Sequence, residues 1–289
     1  MPQVLKKDAK NLLKKNQIRP SKRLGQNFLI DKATVRRIIS VANLNSNDIT
    51  LEVGPGTGIL TRELAKKAKR VIAVEKDQKM AEVLEKTTKQ FKNVKIIQGD
   101  ILKISTFQFP LIAEQLQGAK RPVRLSTYKV VANLPYYIVQ PLLRKFLESK
   151  NPPREMVLMV QKEVGQRICA KPPKMSLLAI SVQLYADPRI ICYVSKSSFW
   201  PKPKVDSAII RITVSKEQKT KNKNLFFKIV KAGFSQPRKQ LSNNLSKGLK
   251  VNRERIKEWL LKNKIRPESR AETLGLEDWL RLVKTYIFA

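Results

Sequence analysis

Apolar residues gather into seven short runs before residue 215, near 49–53, 70–75, 94–99, 128–133, 155–161, 188–195 and 207–213, each closed by polar or turn-forming residues. Their length and their Val and Ile content read as strands, and most of the stretches between them carry the three- and four-residue spacing of helices. Strand and helix in alternation predict an α/β fold with a doubly wound, mostly parallel, seven-stranded sheet. The last two strands are joined by a short segment containing Pro201 and Pro203, too brief for a crossover helix, so those two are expected to pair antiparallel. Residues 111–127 read as a polar, irregular spacer with no assigned role. Charge-dense residues 216–224 read as a linker, and the helical spacing of 225–234, 253–261 and 276–287 predicts a small C-terminal α-helical domain. The expected division is a basic arm over 1–20, an α/β domain over 21–215 and a helical domain over 216–289, without internal repeats.

Charge adds a partner to this picture. The chain of 289 residues holds 59 Lys and Arg against 23 Asp and Glu, a formal charge of +36. Such an excess repels itself unless a polyanion neutralises it, and nucleic acid is the economical explanation. A Lys-rich solvated surface accounts for only part of the bias. Residues 1–25 hold 8 basic and 1 acidic residue, and residues 216–289 hold 19 and 7. Binding should therefore weaken steeply with salt through counterion release. Residues 1–20 read as a flexible basic arm on RNA. A mitochondrial presequence fits less well, because the positives are mainly Lys and Asp8 intrudes; a tail without function is the bland alternative.

Absences narrow the chemistry. The chain has no His and only two Cys, Cys169 and Cys192, so Ser-His and Cys-His nucleophiles and a structural zinc site are excluded and no metal is expected. Both thiols sit in apolar surroundings typical of buried cysteines. No apolar run reaches membrane-spanning length and the N-terminus lacks a secretory apolar core, which predicts a cytoplasmic protein.

Three local patterns carry candidate chemistry. Glu52-Val53-Gly54-Pro55-Gly56-Thr57-Gly58 joins a strand to a helix-like stretch, and its glycines allow a tight turn and close approach to a ligand. The spacing is neither the dinucleotide pattern nor a triphosphate loop, so a plain tight turn is the competing reading. Glu75 and Asp100 close the next two strands, at the sheet edge where acids grip ribose hydroxyls or an amino group; a helix cap or solvated loop is the alternative for each. Asn133-Leu134-Pro135-Tyr136 follows the fourth strand and unites an amide acceptor, a ring-locked turn and an aromatic face, which suits an exposed amino-bearing base. An ordinary strand-ending turn is the competing account. Asp31 is a natural N-cap for a helix starting just after it.

With Arg23-Leu24-Gly25-Gln26-Asn27-Phe28-Leu29, Gln161-Lys162-Glu163-Val164 and Phe199-Trp200-Pro201-Lys202-Pro203-Lys204-Val205-Asp206-Ser207-Ala208, these strings resemble the ribosomal RNA adenine dimethyltransferase family. The resemblance runs in family order from about residue 20 to 275. It implies a Rossmann-like methyltransferase sheet that uses S-adenosylmethionine to place two methyl groups on N6 of each of two adjacent adenosines in the 3′-terminal hairpin of small-subunit rRNA, in ribosome biogenesis. The Phe199 string, Phe234-Ser235-Gln236-Pro237-Arg238-Lys239 and Arg270-Ala271-Glu272-Thr273-Leu274 point to the small-subunit branch rather than to relatives that methylate large-subunit rRNA and confer macrolide resistance.

The same resemblance implies Gln26, Asn27, Leu29, Gly54, Gly56, Glu75, Asp100 and Asn133 as cofactor contacts, with Asn133, Leu134, Pro135 and Tyr136 holding the target base. Phe199 is implied as the second face of a base sandwich; a core aromatic beside Trp200 describes it equally well. Arg238 and Lys239 are implied rRNA phosphate ligands, with a solvated helix start as the alternative. After Tyr136 this chain carries Tyr137-Ile138-Val139 where most bacterial members carry Asn-Ile-Ser. The rival from another class is a non-catalytic RNA- or DNA-binding assembly or transcription factor on the same fold. A monomer is expected, acting on naked rRNA or on an assembling small subunit.

Overall fold

The computed structural model describes residues 2–21, 23–106, 109, 128–215, 217 and 219–287. The spacer 111–127 lies outside the described residues, as do positions 216 and 218 of the linker. In chain order the first elements are α1 (Pro2–Lys15), β1 (Phe28–Leu29), α2 (Lys32–Ala42), β2 (Ile49–Val53), α3 (Ile59–Ala65), β3 (Arg70–Glu75), α4 (Gln78–Thr88) and β4 (Val94–Gln98). They are followed by β5 (Tyr128–Asn133), α5 (Val139–Leu147), β6 (Glu155–Gln161), α6 (Lys162–Ile168), α7 (Leu177–Gln183), β7 (Ala186–Val194), β8 (Phe199–Trp200) and β9 (Ser207–Val214). The helices α8 (Lys223–Gly233), α9 (Leu241–Leu249), α10 (Arg253–Lys262) and α11 (Leu276–Lys284) complete the order.

All seven expected strands form, in the sheet order β4-β3-β2-β5-β6-β9-β7. Neighbours from β4 through β6 are parallel, whereas β9 runs antiparallel to β6. The inner strands β2, β3, β5, β6 and β9 are buried nearly throughout because both faces are covered, whereas β4 and β7 at the edges expose polar positions. Val131, Val157, Met159 and Ile209 pack with Val35 and Ile38 of α2 and with Leu60 and Leu64 of α3. Tyr128, three residues before Val131 and hence on the opposite face, stacks with Phe146 of α5 and with Phe109. The order of strands reverses between β2 and β5, and in open α/β sheets that switch point is where a crevice opens beyond the strand ends.

The connection between β7 and β9 holds an element the periodicity did not reveal. Its Phe199 and Trp200 form β8, paired antiparallel with β1 through Phe28↔Trp200 and Leu29↔Phe199. A two-residue strand is too short to leave a pattern. The N-terminal segment also departs from the flexible arm expected of it. Residues 2–15 are helical, and Leu13 and Ile18 bury against Phe28, Met80 and Val83. The apolar stripe, not the lysines between, decides the conformation.

Contact density divides the chain into two units, 1–165 with 189–214 and 166–188 with 215–289. The second takes in residues 166–188, which the sequence reading left with the sheet. Met175, Ala179, Ile180 and Leu184 share a core with Phe226, Ile229, Leu245, Trp259 and Trp279. Helix α9 begins just after Arg238 and Lys239, where a helix start is the alternative reading, although Leu241-Ser242-Asn243-Asn244-Leu245-Ser246-Lys247-Gly248-Leu249 is rich in poor helix formers. Its leucines recur every fourth residue and bury in that core, so packing overrides propensity. Cys169 and Cys192 are unpaired and only half-buried. No helix among the described residues is long and apolar enough to cross a membrane.

Candidate active site

The crevice at the switch point is lined by the 24–29 loop and by the ends of β2, β3 and β5, together with Gly99, Asp100 and Ile101 just beyond β4. It therefore gathers Gln26, Asn27, Leu29, Gly54, Gly56, Glu75, Asp100, Asn133, Leu134, Pro135 and Tyr136, residues spread over more than a hundred positions. Parallel strands do this work, since each delivers its C-terminal residue to the same edge.

The glycine turn shapes the floor. Gly54, Gly56 and Gly58 all have positive φ, and at Gly58 a Cβ would meet Leu84 at 2.8 Å. A Cβ at Gly56 would sit 3.1 Å from the Phe28 ring, so the backbone can lie that close only without a side chain. The Gly56 N–H donates to Glu75 Oε2 at 3.2 Å, and the Asp77 N–H donates to Oε1 at 3.0 Å. Burial nevertheless holds the Glu75 carboxyl above its ordinary range, against those two hydrogen bonds. Asp100 is the opposite case. Its hydrogen bond from Lys76 Nζ at 2.9 Å, and one from Leu102 N–H, hold its carboxyl below the usual range.

Gln26 is largely occupied by structure. Its Oε1 accepts from Ser21 N–H at 2.8 Å and its Nε2 donates to Asp77 at 3.0 Å, which ties the loop before β1 to the start of α4. Asn27 donates to the Gly25 carbonyl and accepts, through its own carbonyl, a 3.4 Å contact from Asn133 Nδ2. Asn133 Oδ1 accepts no hydrogen bond among the described residues. The Pro135 carbonyl is taken by Ile138 N–H at 3.1 Å, and the Tyr136 hydroxyl is anchored on Ser207 Oγ at 2.8 Å. Ser207 and Asp77 had no assigned role in the sequence; only their long-range partners reveal one.

Phe199 is not among the residues that line the crevice. It is 3% exposed and packs with Leu29 and Val35, which matches the core-aromatic reading. Arg238 and Lys239 lie exposed in the second unit, on the loop between α8 and α9. Buried Asn244 fastens that loop by donating to the Gly233 and Gln236 carbonyls. Asp31 does cap α2, accepting from the Ala33 and Thr34 N–H groups.

Glu52 was read only as the start of the glycine motif, yet it lines the crevice at 2% exposure. Burial pushes its carboxyl up to about 8, and the charge of Glu75 adds to it. Its Oε2 has no hydrogen-bond partner among the described residues. A carboxyl ionising at 4.5 when unfolded and about 8 when folded makes folding bind a proton between those values. The contribution of Glu52 to stability is therefore full below pH 4.5 and is lost, on the order of 1 kcal/mol per pH unit, as pH rises toward 8. Glu52→Gln is expected to flatten that slope in urea titrations at stepped pH. An unchanged slope would mean that Glu52 stays ionised.

These residues fit an adenosine carrying a sulfonium side chain. Two carboxylates at neighbouring strand ends suit hydroxyl and amino donors, and Phe28, Val74 and Ile101 offer apolar walls for a flat ring beside the narrow glycine floor.

Comparison with known proteins agrees. Ribosomal RNA adenine dimethylase matches residues 17–287. Proteins named ribosomal RNA small subunit methyltransferase A from Dehalococcoides mccartyi strain BAV1 and Alkaliphilus metalliredigens are 41% and 40% identical, each over 96% of this chain and 92% and 95% of their own. Among solved structures, the 23S rRNA methyltransferase ErmE superposes with a TM-score of 0.71 at 25% identity, covering 89% of this chain and 98% of its own. A dimethyladenosine transferase from Plasmodium falciparum gives 0.70 at 28%, covering 88% and 95%. With the strand order, the crevice and these relatives in agreement, the chain belongs to the ribosomal RNA adenine dimethylase family.

Proposed function

We propose that this protein transfers methyl groups from S-adenosylmethionine to N6 of two adjacent adenosines in the 3′-terminal hairpin of small-subunit rRNA, during ribosome biogenesis. The observation that carries the reading is the meeting of Glu75, Asp100, the glycine turn and Asn133-Leu134-Pro135-Tyr136 in one crevice. Relatives 40% identical over more than nine-tenths of their length bear the small-subunit name, whereas the large-subunit enzyme ErmE is 25% identical. The acids and the glycine turn would have no purpose in a pure binding factor.

The bound cofactor supplies an already electrophilic methyl group, so the chain's task is to place a nucleophile behind it and exclude water. Glu75 is assigned to the ribose hydroxyls, Asp100 to the cofactor's adenine amino group, and Gly54 and Gly56 to close backbone approach. Asn27, Leu29 and Gln26 form the wall opposite, Gln26 by holding that loop in place. An adenine N6 lone pair is delocalised into its ring. Two acceptors on the amino hydrogens favour a more tetrahedral, nucleophilic nitrogen, and Asn133 Oδ1 with the backbone carbonyl of Leu134 or Pro135 is assigned this task, although the Pro135 carbonyl also accepts from Ile138 N–H. Tyr136, its hydroxyl fixed on Ser207, presents its ring to the base. Phe199 backs the Leu29 wall from the core. The nitrogen becomes acidic only after attack, so water can take its proton and no general base is required. The base must leave its stack to reach the crevice, an expense least in a hairpin loop.

Residues 21–215 are assigned the methyl transfer and 216–289 the grip on rRNA, with Arg238 and Lys239 on phosphates. The protein is read as a cytoplasmic monomer without a resident metal. Incubating it with unmethylated small subunits and labelled S-adenosylmethionine is expected to yield dimethyladenosine near the rRNA 3′ end. Label on large-subunit rRNA would transfer it to the resistance branch, and RNA binding without label would make it an assembly factor.

A further inference from the structure

Tyr136 and Tyr137 are consecutive in a 3-10 turn over Tyr136–Ile138. Such a turn rotates successive side chains by about 120°, so the two rings cannot share a direction. Tyr136 turns toward Ser207 and Ile138 into the core, which leaves Tyr137 at the rim, 52% exposed yet lining the same crevice. The Gly25 backbone lies near the ring, where a Cβ would be at ordinary contact distance, 3.5 Å from Tyr137 Cδ1. Lys76 lines the same crevice, is positioned by its ion pair with Asp100, and has both Tyr137 and Arg23 near enough to act on its charge.

An exposed aromatic face flanked by cations, at the mouth of a base pocket, is the combination that holds single-stranded nucleic acid: the ring takes a base and the cations its phosphates. We propose that Tyr137 is a platform on which the nucleotide beside the target adenosine stacks, with Arg23 and Lys76 receiving the adjoining phosphates. This rests on the rRNA reading above. It gives the two tyrosines separate tasks, one for the base being methylated and one for its neighbour.

The test uses the full-length protein and hairpin RNAs carrying 2-aminopurine on either side of the target adenosine, with methyl transfer measured in parallel. Wild type and Tyr137→Phe are expected to quench one of the two probes. Tyr137→Ala should lose that quenching and raise the KM for RNA about tenfold, while its affinity for S-adenosylhomocysteine stays within twofold of wild type. Equal quenching and equal KM in Tyr137→Ala overturn the platform while leaving the enzyme's function standing. Lost affinity for S-adenosylhomocysteine with unchanged RNA KM also overturns it, because the ring would then cover the cofactor. A wild type that methylates no small-subunit RNA overturns the function and the platform together.

Discussion

Asn133→Ala is expected to lower the single-turnover rate of methyl transfer by roughly 10²–10³-fold, the usual cost of deleting one preorganised polar contact to the reacting atom. Nearly all of the effect should be in the rate. Asn133 closes β5, and the strand's hydrogen bonds to β2 and β6 do not involve its side chain, so the fold has little to lose. Its 3.4 Å contact to the Asn27 carbonyl is long, and losing it should loosen the 24–29 loop only modestly. Affinity for S-adenosylhomocysteine, measured by calorimetry, should therefore fall far less than the rate. Asn133→Asp separates geometry from charge. It keeps an acceptor in place, so it is expected to retain more activity than alanine if acceptance from N6 is the task. Comparable rates for wild type and Asn133→Ala would remove Asn133 from the reaction. A rate loss fully matched by lost cofactor affinity would make it a binding residue only.

The sheet was legible because buried parallel strands leave long apolar runs, and the site was legible because such a sheet sends its strand ends to one edge. Glu75 and Asp100 stand out by position, each just after an apolar run, and Asn133 by its Asn-Leu-Pro-Tyr string; the structure brings all three to one crevice. What escaped had no periodic signature. The β1–β8 pair is two residues long, and it decides where Leu29 and Phe199 stand. Phe199 was equally suited to a base or to the core as a sequence, and only the register with Leu29 places it inside. Helix α9 is rich in Ser, Asn and Gly, whose weak propensity is outvoted by three buried leucines. Glu52 and Lys129 carry a further signal, as charged residues inside strands that are buried along nearly their whole length. A charge in such a place is expensive, so each needs a partner or a purpose.

Lys129 has partners, and removing it should be the most destabilising single change in the sheet. Its Nζ donates to the Ala42 carbonyl at 2.8 Å and the Asn43 carbonyl at 2.9 Å, and it lies 3.3 Å from Asp48 Oδ2. Two of its protons go to carbonyls at the end of α2 that the helix itself cannot satisfy, and the ammonium also faces the Asp48 carboxylate as an ion pair. Lys129 and Asp48 are 6% and 9% exposed, so water cannot replace what is lost. Lys129→Met fills a similar volume but strands both carbonyls and leaves Asp48 Oδ2 with only the Asn45 N–H at 3.0 Å, and a cost of about 3–5 kcal/mol is expected in urea unfolding. Asp48 retains Arg154 at 3.2 Å, which keeps the loss from being larger. Asp48→Asn should consequently cost less in the Lys129→Met background than in wild type, with a coupling of about 0.5–3 kcal/mol. The folded fraction should still bind S-adenosylhomocysteine normally. Lys129 stands at the far end of β5 from Asn133, about 13 Å away at the usual rise per residue. A cost below about 1 kcal/mol would mean that the pair is solvated, and a loss of cofactor affinity in the folded variant would mean that this network reaches the crevice.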